Sequence, residues 1–203
     1  ALGFSSSCKN LKIAPCRKTG ASLDIYQRRR NLVKKQTQQP YNLEFAEVFM
    51  FDFSILSTKY KVKKMGEEDM ANIINLLSGN PLYFEYCPPK PSIESVLNDL
   101  RALPPGKKLI DKFYLGFFND NQLVAVMDYI VSFPQEDTIF IGLFMVDIKM
   151  SGKGIGSFII DEALNVFKRE GYVKVRLAYM KGNPQSRRFW QKCGFVETGI
   201  ERE

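Results

Sequence analysis

The chain has 203 residues, of which 45% are hydrophobic, and this composition suits a soluble protein with one cored domain and an extension. It contains no histidine and its four cysteines form no CxxC pair, so the common zinc sites and imidazole-dependent catalysis are excluded. No apolar run approaches the roughly 18 residues of a membrane span, and the N-terminus lacks the apolar core of a secretory signal. The scattered thiols indicate a reducing cytoplasm, with a bridge between Cys8 and Cys16 as an open alternative.

The net charge of +7 is concentrated near the N-terminus. Residues 1–40 contain nine Lys or Arg against one Asp, so the rest of the chain sums to −1. The basic residues there predict contact with nucleic acid or another acidic partner, and an organellar presequence is a second reading. We favour a solvated extension or a dimer-packing arm, because charge runs alone specify little. The densest basic cluster comprises Arg28, Arg29, Arg30, Lys34 and Lys35.

Two further features belong to this N-terminal part. Residues 1–21 show little periodicity and are predicted to be loosely structured, and Ser22 is a candidate N-cap for a short helix. Residues 43–57 are strongly aromatic, which predicts a strand or an interface segment and makes them the candidate surface of a homodimer. We therefore divide the chain into a basic extension over residues 1–57 and a regular domain over 58–203.

From residue 60 onward, hydrophobic periodicity predicts alternating strands and helices. Ser92 and Asn183 are candidate helix caps, and Gly79, Gly171 and Gly194 are placed to end helices. The predicted order is a strand at 60–64, helices at 70–78 and 92–103, strands at 113–118, 123–131 and 138–147, a helix at 155–170, a strand at 173–180 and a helix at 183–193. This pattern predicts an α/β fold without internal repeats.

The stretch SGKGIGS at residues 151–157 follows a predicted strand and opens a helix. Glycines at positions 152, 154 and 156 let backbone N–H groups approach a ligand closely, and the helix adds the positive end of its dipole. The turn therefore predicts a phosphate site, with glycines that merely permit tight helix packing as the alternative.

Two common nucleotide motifs do not fit this turn. The P-loop sequence GxxxxGK followed by Ser or Thr is absent. The dinucleotide fingerprint requires GxGxxG and an acid after the next strand, whereas the spacing here is GxGxG and that strand ends in Tyr179, Met180 and Lys181.

The segment from 140 to 195, with the glycine turn and the later stretch NPQSRRFWQKCGF, resembles the acetyl-CoA core of the GNAT superfamily of N-acetyltransferases. In that family the pyrophosphate motif is Gln or Arg followed by xxGxG. Gly154 and Gly156 match it, and Ser151 stands at the Gln or Arg position. The later motif is NxxAxxxYxxxGF, in which Trp190 stands at the Tyr position. The residues that fit this later motif are Asn183, Ser186, Gly194 and Phe195.

The resemblance implies a GNAT fold, with a mixed, mostly antiparallel central sheet flanked by helices. It also implies acetyl-CoA as co-substrate and no metal. In the family, backbone groups at the end of the strand hold the pantetheine arm, amides of the turn hold the pyrophosphate, and the later motif contacts the lower pantetheine. The implied cofactor-binding residues are Met145, Val146, Ser151, Gly152, Lys153, Gly154, Ile155, Gly156, Ser157, Asn183, Ser186 and Phe189. Asn183 as a helix cap and Phe189 as a core residue are equally ordinary roles.

Acetyl transfer to an amine needs a base, because a primary amine with a pKa near about 10.4 is mostly protonated at neutral pH. Without histidine, the candidate is Asp128, which interrupts the apolar stretch VAVMDYIVSF; a satisfied structural carboxylate is the alternative. Glu85 is a second candidate, since the resemblance places it where the family often has acceptor-contacting residues; an exposed loop position is its alternative. Because the N–H of Trp190 is a very weak acid, Tyr179 is the candidate that protonates the departing thiolate, unless the thiolate leaves unassisted.

Three functions follow from these patterns. The favoured one is an N-acetyltransferase that acts on a small-molecule or peptide amine by direct attack in a ternary complex. The second is an acyl-CoA-binding module in which Ser151 and Trp190 signal lost or redirected catalysis. The third is a nucleic-acid-associated protein that acts through the basic arm; neither nucleic acid nor a membrane is an expected partner of the favoured enzyme. Release of CoA with added amines separates the first two, and salt-dependent RNA or DNA binding that needs residues 1–40 favours the third.

Overall fold

A seven-stranded sheet organises residues 8–13 and 52–202, which are the residues that the computed structural model describes. The strands are β1 (Cys8–Ile13), β2 (Lys61–Lys64), β3 (Lys112–Asn119), β4 (Gln122–Ile130), β5 (Thr138–Val146), β6 (Lys174–Met180) and β7 (Phe195–Arg202). Their order across the sheet is β2-β3-β4-β5-β6-β1-β7. Neighbouring strands are antiparallel except β5 and β6, which are parallel. The predicted mixed, mostly antiparallel sheet is confirmed.

Helices in the described part of the chain cover both faces of this sheet. They are α1 (Met70–Ser78), α2 (Pro81–Tyr86), α3 (Ile93–Arg101), α4 (Ile155–Arg169) and α5 (Pro184–Lys192). On one face, Ile73 of α1 and Val96 of α3 join a core cluster with Val126 of β4. On the other face, the ring of Phe167 of α4 lies 5.0 Å from the ring of Tyr129 of β4. We call these the α1–α3 face and the α4 face.

Strands β3 and β4 are buried almost throughout, because helices cover the sheet on both sides. Side chains alternate between the faces along each strand. An ionisable side chain on the central part of β4 therefore lies in an apolar environment, where its charged form is disfavoured unless it has a partner.

Strand β1 corrects one expectation. Residues 8–13 belong to the stretch predicted to be loosely structured, but they form a strand that pairs with β6 on one side and with β7 on the other. Strand β7 was not predicted either. Both strands depend on partners far away in sequence, which local periodicity does not report. The domain boundary after residue 57 stays a prediction, although β1 contributes to the sheet of the later part.

The predicted regular elements from residue 60 onward are confirmed, with small differences at their ends. Helix α2 was missed: Asn80 precedes it and Pro81 occupies its first turn. Residues 53–56 form a short 3-10 turn with a buried Leu56, so the predicted strand is wrong there. The rest of the aromatic stretch, the helix after Ser22, the basic cluster and Cys16 lie outside the described residues.

Two expectations about composition can be compared with the described part of the chain. None of its helices combines the length and apolar character that crossing a bilayer requires. Cys87 and Cys193 are free thiols.

Candidate active site

Strands β5 and β6 pair over their first halves and then separate. The last paired residues are Ile141 and Leu177, although β5 continues to Val146 and β6 to Met180. A bulge in the β4–β5 register leaves Gly142 without a partner where the separation begins. Beyond this apex, the edge of β5 that faces β6 offers backbone groups that no described strand pairs. We call the opening between the two strands the gap.

The glycine turn follows β5 after a short 3-10 turn, Ile148–Met150. Residues Ser151 to Gly154 are exposed, and Gly152 and Gly154 have φ values of +76° and +79°, a conformation that favours glycine. The first N–H bonded within α4 is that of Phe158, which donates to the Gly154 carbonyl over 3.0 Å. The N–H groups of residues 152–157 make no hydrogen bond to the described backbone. The turn therefore presents a row of unpaired donors at a helix N-terminus, which suits an anion.

Gly156 fixes how closely α4 approaches the gap. A Cβ atom there would lie 3.0 Å from the ring of Phe189 and 3.3 Å from Val146. Gly156 therefore permits tight helix packing, which was the alternative interpretation of the glycines. By contrast, a Cβ at Gly152 or Gly154 would meet nothing within 4 Å. Those two glycines serve backbone conformation, and Gly156 serves packing.

The end of β5 is anchored from α1 and α2. The Asn80 side chain donates from Nδ2 to the Leu76 carbonyl over 2.9 Å and to the Val146 carbonyl over 3.2 Å. Met145 is buried in the core cluster of the α1–α3 face. The backbone near Val146, predicted to hold the pantetheine arm, is thus held in place by a side chain that sequence reasoning did not single out.

Helix α5 carries the second cofactor motif. Asn183 is its N-cap and accepts a 3.0 Å hydrogen bond from the Ser186 N–H, so the capping role is realised. The Phe189 ring stacks on Phe144 of β5 at 5.8 Å. Trp190 is buried against Phe189 and packs edge-on against Phe195. At the position where the family has Tyr, this chain therefore has a core residue, and a role for Asn183, Ser186 and Phe189 in cofactor binding stays a prediction.

Asp128 is buried on the α1–α3 face of β4, and its Oδ2 accepts a 2.7 Å hydrogen bond from Lys112 Nζ. Lys112 begins β3 and is only 4% exposed. The other carboxylate oxygen, Oδ1, is buried and has no hydrogen-bond partner among the described residues. Burial raises the pKa of Asp128 to about 6, and the positive charge of Lys112 opposes that rise. Such a group is ionised at neutral pH but accepts a proton readily.

Asp128 reaches the apex of the gap through the space left by Gly142. A Cβ at position 142 would lie 3.1 Å from Asp128 Oδ2, and Gly142 itself is exposed. Tyr114 stands opposite Asp128 across the β3–β4 pair, and its hydroxyl is buried without a partner in the described part of the chain. Burial raises the pKa of Tyr114, so this hydroxyl stays a neutral donor. The carboxylate therefore borders the gap in a mostly dry environment.

Tyr179 lies on β6 beyond the apex. It is two residues after Leu177, so it lies on the α4 face, opposite to the face of Asp128. Its hydroxyl donates to Glu197 on β7, and Glu197 also accepts a 2.8 Å hydrogen bond from Arg187 Nε. This contact extends toward β7, on the side of β6 away from β5, so a role for Tyr179 at the gap stays a prediction.

Glu85 is exposed in the last turn of α2. Its neighbours Tyr83 and Phe84 pack against the core cluster of the α1–α3 face, whereas Glu85 does not belong to that cluster. Its role as an acceptor-contacting residue stays a prediction. No group of three Cys, Asp or Glu side chains in the described residues could hold a metal ion.

Sequence reasoning missed several residues of this site. A glycine inside a strand pattern signals a bulge or a close approach, and Gly142 satisfies that rule. The sequence indicated the role of Lys112 only weakly, as a lysine at the start of an apolar strand. Nothing in the sequence indicated Arg176 on β6, because Arg176 and Asp128 come to lie on one face of the sheet only when the strands pair in register.

The sequence profile of the Acetyltransferase (GNAT) family matches residues 80–195. That range is more than half of the chain, so the protein belongs to the GNAT acetyltransferase family. Members of the family are acyl-CoA-dependent acetyltransferases. No curated protein matches the sequence.

Solved structures support the same fold. An acetyltransferase from Thermus thermophilus is 20% identical, with a TM-score of 0.57 over 68% of this chain and 87% of that one. The PaiA N-acetyltransferase from Thermoplasma acidophilum, solved with coenzyme A, is 18% identical, with a TM-score of 0.50 over 66% and 87%. The ribosomal-protein-S18-alanine N-acetyltransferase from Escherichia coli is 10% identical, with a TM-score of 0.50 over 68% and 77%. At these identities the likeness carries the fold and not the acceptor.

Proposed function

We propose that this protein is an N-acetyltransferase that moves the acetyl group of acetyl-CoA to a primary amine of a small molecule or a protein. Amine and acetyl-CoA bind together, and the amine attacks the thioester directly. The observation that carries this proposal is the position of Asp128, whose carboxylate borders the apex of the gap beside Gly142. The free thiols and the need for acetyl-CoA favour the cytoplasm as the place where it acts.

The backbone supplies the binding site for acetyl-CoA. Unpaired N–H groups of residues 152–157 suit its pyrophosphate, and the charge of Lys153 adds to them. The unpaired edge of β5 suits the amide groups of the pantetheine arm, which would pair with it as an added strand does. The co-substrate supplies the thioester bond that transfer consumes.

Asp128 is the base in this proposal. The amine nitrogen forms a bond to the acetyl carbonyl carbon, its proton passes to the Asp128 carboxylate directly or through one water, and the carbon–sulfur bond breaks. A pKa of about 6 keeps Asp128 ionised at neutral pH while leaving it basic enough to take part. The departing thiolate takes a proton from Tyr179, or leaves unassisted as a thiolate of pKa near about 8.5 can.

Two other functions make different predictions. An acyl-CoA-binding module would bind acetyl-CoA without releasing CoA when amines are added, and Trp190 at the Tyr position is the feature that favours it. A nucleic-acid-associated protein would depend on the basic cluster, which lies outside the described residues.

The first experiment combines binding and turnover. Thermal unfolding is recorded with acetyl-CoA, with ATP and NAD as controls, and free thiol is then measured with a panel of primary amines. At 100 times its dissociation constant, acetyl-CoA should raise the melting temperature by about 5 to 10 °C. A selective shift and amine-dependent thiol release are expected. A shift without thiol release would favour the binding module, and no shift at all would overturn the proposed site.

A further inference from the structure

Arg176 is a half-buried cation on β6 at the apex of the gap. It pairs with Phe140 of β5, one position before the last paired residues. Its Nε–H is buried and has no hydrogen-bond partner among the described residues. A buried donor without a partner is unfavourable, and more so when it is charged. A ligand that accepts a hydrogen bond from this guanidinium would therefore bind favourably.

Arg176 shares its face with Asp128. The strand registers place Lys112, Ile130, Phe140 and Arg176 in one row across β3, β4, β5 and β6. Side chains in register lie on the same face, and Asp128, two residues before Ile130, lies there as well. From β3 to β6 the row thus contains two cations, with Ile130 and Phe140 between them, and on β1 Lys12 is in register with Arg176.

The two cations differ in what they bind. Lys112 donates to Asp128 over 2.7 Å, so its charge is compensated within the protein. Arg176 has no such partner for its Nε–H. A planar guanidinium presents parallel N–H donors that match the two oxygens of a carboxylate, which a lysine does not. The hydrogen-bond acceptor that best fits the Arg176 guanidinium is therefore a carboxylate, supplied from outside the described residues.

We propose that the acceptor is an amino acid, a primary amine whose carboxylate is bound by Arg176 while its amine faces Asp128. This inference rests on the proposed acetyltransferase function and deepens it. Strands β4 and β6 lie two strand spacings apart, about 10 Å, and both residues lie on the α1–α3 face near the apex of the gap. A compact molecule that carries an amine and a carboxylate fits between them.

The test compares matched acceptors. Each of the common amino acids except proline, a secondary amine, and cysteine, whose own thiol would be detected, is assayed beside its carboxamide at equal concentration, and kcat/KM is taken from thiol release with saturating acetyl-CoA. The carboxamide has the less basic amine, so more of it is unprotonated at neutral pH, which works against the proposal. We expect at least one amino acid to exceed its carboxamide about tenfold or more, in line with the strength of a charged hydrogen-bonded pair.

Arg176→Gln should bring that ratio close to one by lowering kcat/KM for the amino acid and leaving kcat/KM for the carboxamide almost unchanged. Arg176→Lys, which keeps the charge but loses the fork, should give an intermediate ratio and serves if the first variant unfolds. Arg169→Gln is the matched control, since it removes an exposed guanidinium from the last turn of α4 on the other face.

The outcomes separate this inference from the function on which it rests. Three results would each overturn the carboxylate site. Carboxamides or simple amines could be acetylated as well as amino acids, or Arg176→Gln could leave the ratio unchanged. The third is that no amino acid is acetylated although acetyl-CoA still stabilises the protein. Absence of any acetyl-CoA stabilisation would instead count against the proposed function.

Discussion

The two sides of the gap are built from different material. The glycine turn uses backbone N–H groups from one contiguous run of residues, with glycines at 152 and 154 in a left-handed conformation. The cleft on the α1–α3 face uses side chains from three strands: Asp128 on β4, Lys112 on β3 and Arg176 on β6. One site needs only a local turn, whereas the other exists only when the strands are correctly paired.

This difference separates cofactor from acceptor. A row of free amides recognises a phosphate through geometry that many side chains tolerate, so it can be common to enzymes with different acceptors. Charged side chains in a dry cleft discriminate among molecules, because each unpaired group must find a partner. We therefore propose that the α1–α3 face selects the acceptor.

The largest expected effect comes from Asp128→Asn. The amide oxygen can still accept from Lys112, but the side chain no longer takes a proton. Turnover should fall about 100- to 10,000-fold, as for loss of a general base. Stabilisation by acetyl-CoA should persist, since the turn is untouched. Steady-state thiol release and thermal unfolding measure the two effects.

Asp120→Asn is the matched control for that substitution. Asp120 is exposed in the β3–β4 turn with a φ of +52°, a conformation that asparagine tolerates well, so activity should be unchanged. If Asp128→Asn kept wild-type turnover, the carboxylate would be purely structural. The α1–α3 face would then not supply the catalytic base, as we propose it does.

Much of the fold was predictable from local patterns. Periodicity and caps located α1, α3, α4, α5 and most strands, because these elements have one clear apolar face and defined ends. Strands β1 and β7 were missed since each is stabilised by pairing with the other, across most of the chain. Helix α2 was missed because six residues are too few to show a helical period.

The candidate site divides in the same way. The glycine turn was visible because its chemistry depends on residue type and spacing alone. Asp128 was visible as a charge in an apolar run, but its partner Lys112 lies sixteen residues earlier and is brought to it by the β3–β4 register. Arg176 could not be connected to either, because it follows a crossover through α4 before it enters the same row.

The second prediction concerns the α4 face of the gap. Tyr179→Phe removes the hydroxyl that contacts Glu197 and that we assign to protonation of the thiolate. Turnover with acetyl-CoA should fall at least about tenfold, because proton transfer by a positioned group contributes that much or more. Glu197→Gln is the companion variant, since it keeps the hydroxyl and changes only the group that it contacts. Wild-type turnover in Tyr179→Phe would assign this residue to packing.

Lys112→Met should change the pH dependence of the enzyme. Asp128 must be deprotonated to act, so kcat/KM should fall as pH drops through a pKa of about 6. The charge of Lys112 lowers that pKa, and its removal should move the acidic limb to higher pH. Breaking the buried pair should also destabilise the fold by about 3 to 5 kcal/mol. The profile is recorded below the melting temperature of the variant.

Lys174→Met is the control for the pH profile. It removes a lysine that pairs with Asp137 at 3.0 Å near the start of β6, away from Asp128. Its acidic limb should coincide with that of the wild type, which also corrects for titration of the acceptor amine. An unmoved limb in Lys112→Met would show that the limb does not belong to Asp128.

The smallest expected effect tests the backbone side by itself. Gly154→Ala and Gly106→Ala place a side chain at almost equal φ values of +79° and +80°, and in both a Cβ meets nothing within 4 Å. Each should lose about 1 to 2 kcal/mol of stability through backbone strain alone. Only Gly154→Ala should also weaken acetyl-CoA binding, by about fivefold if one amide bond is lost. Equal acetyl-CoA affinities in the two variants would mean that the turn does not hold the pyrophosphate, and the contrast between a backbone site and a side-chain site would no longer hold.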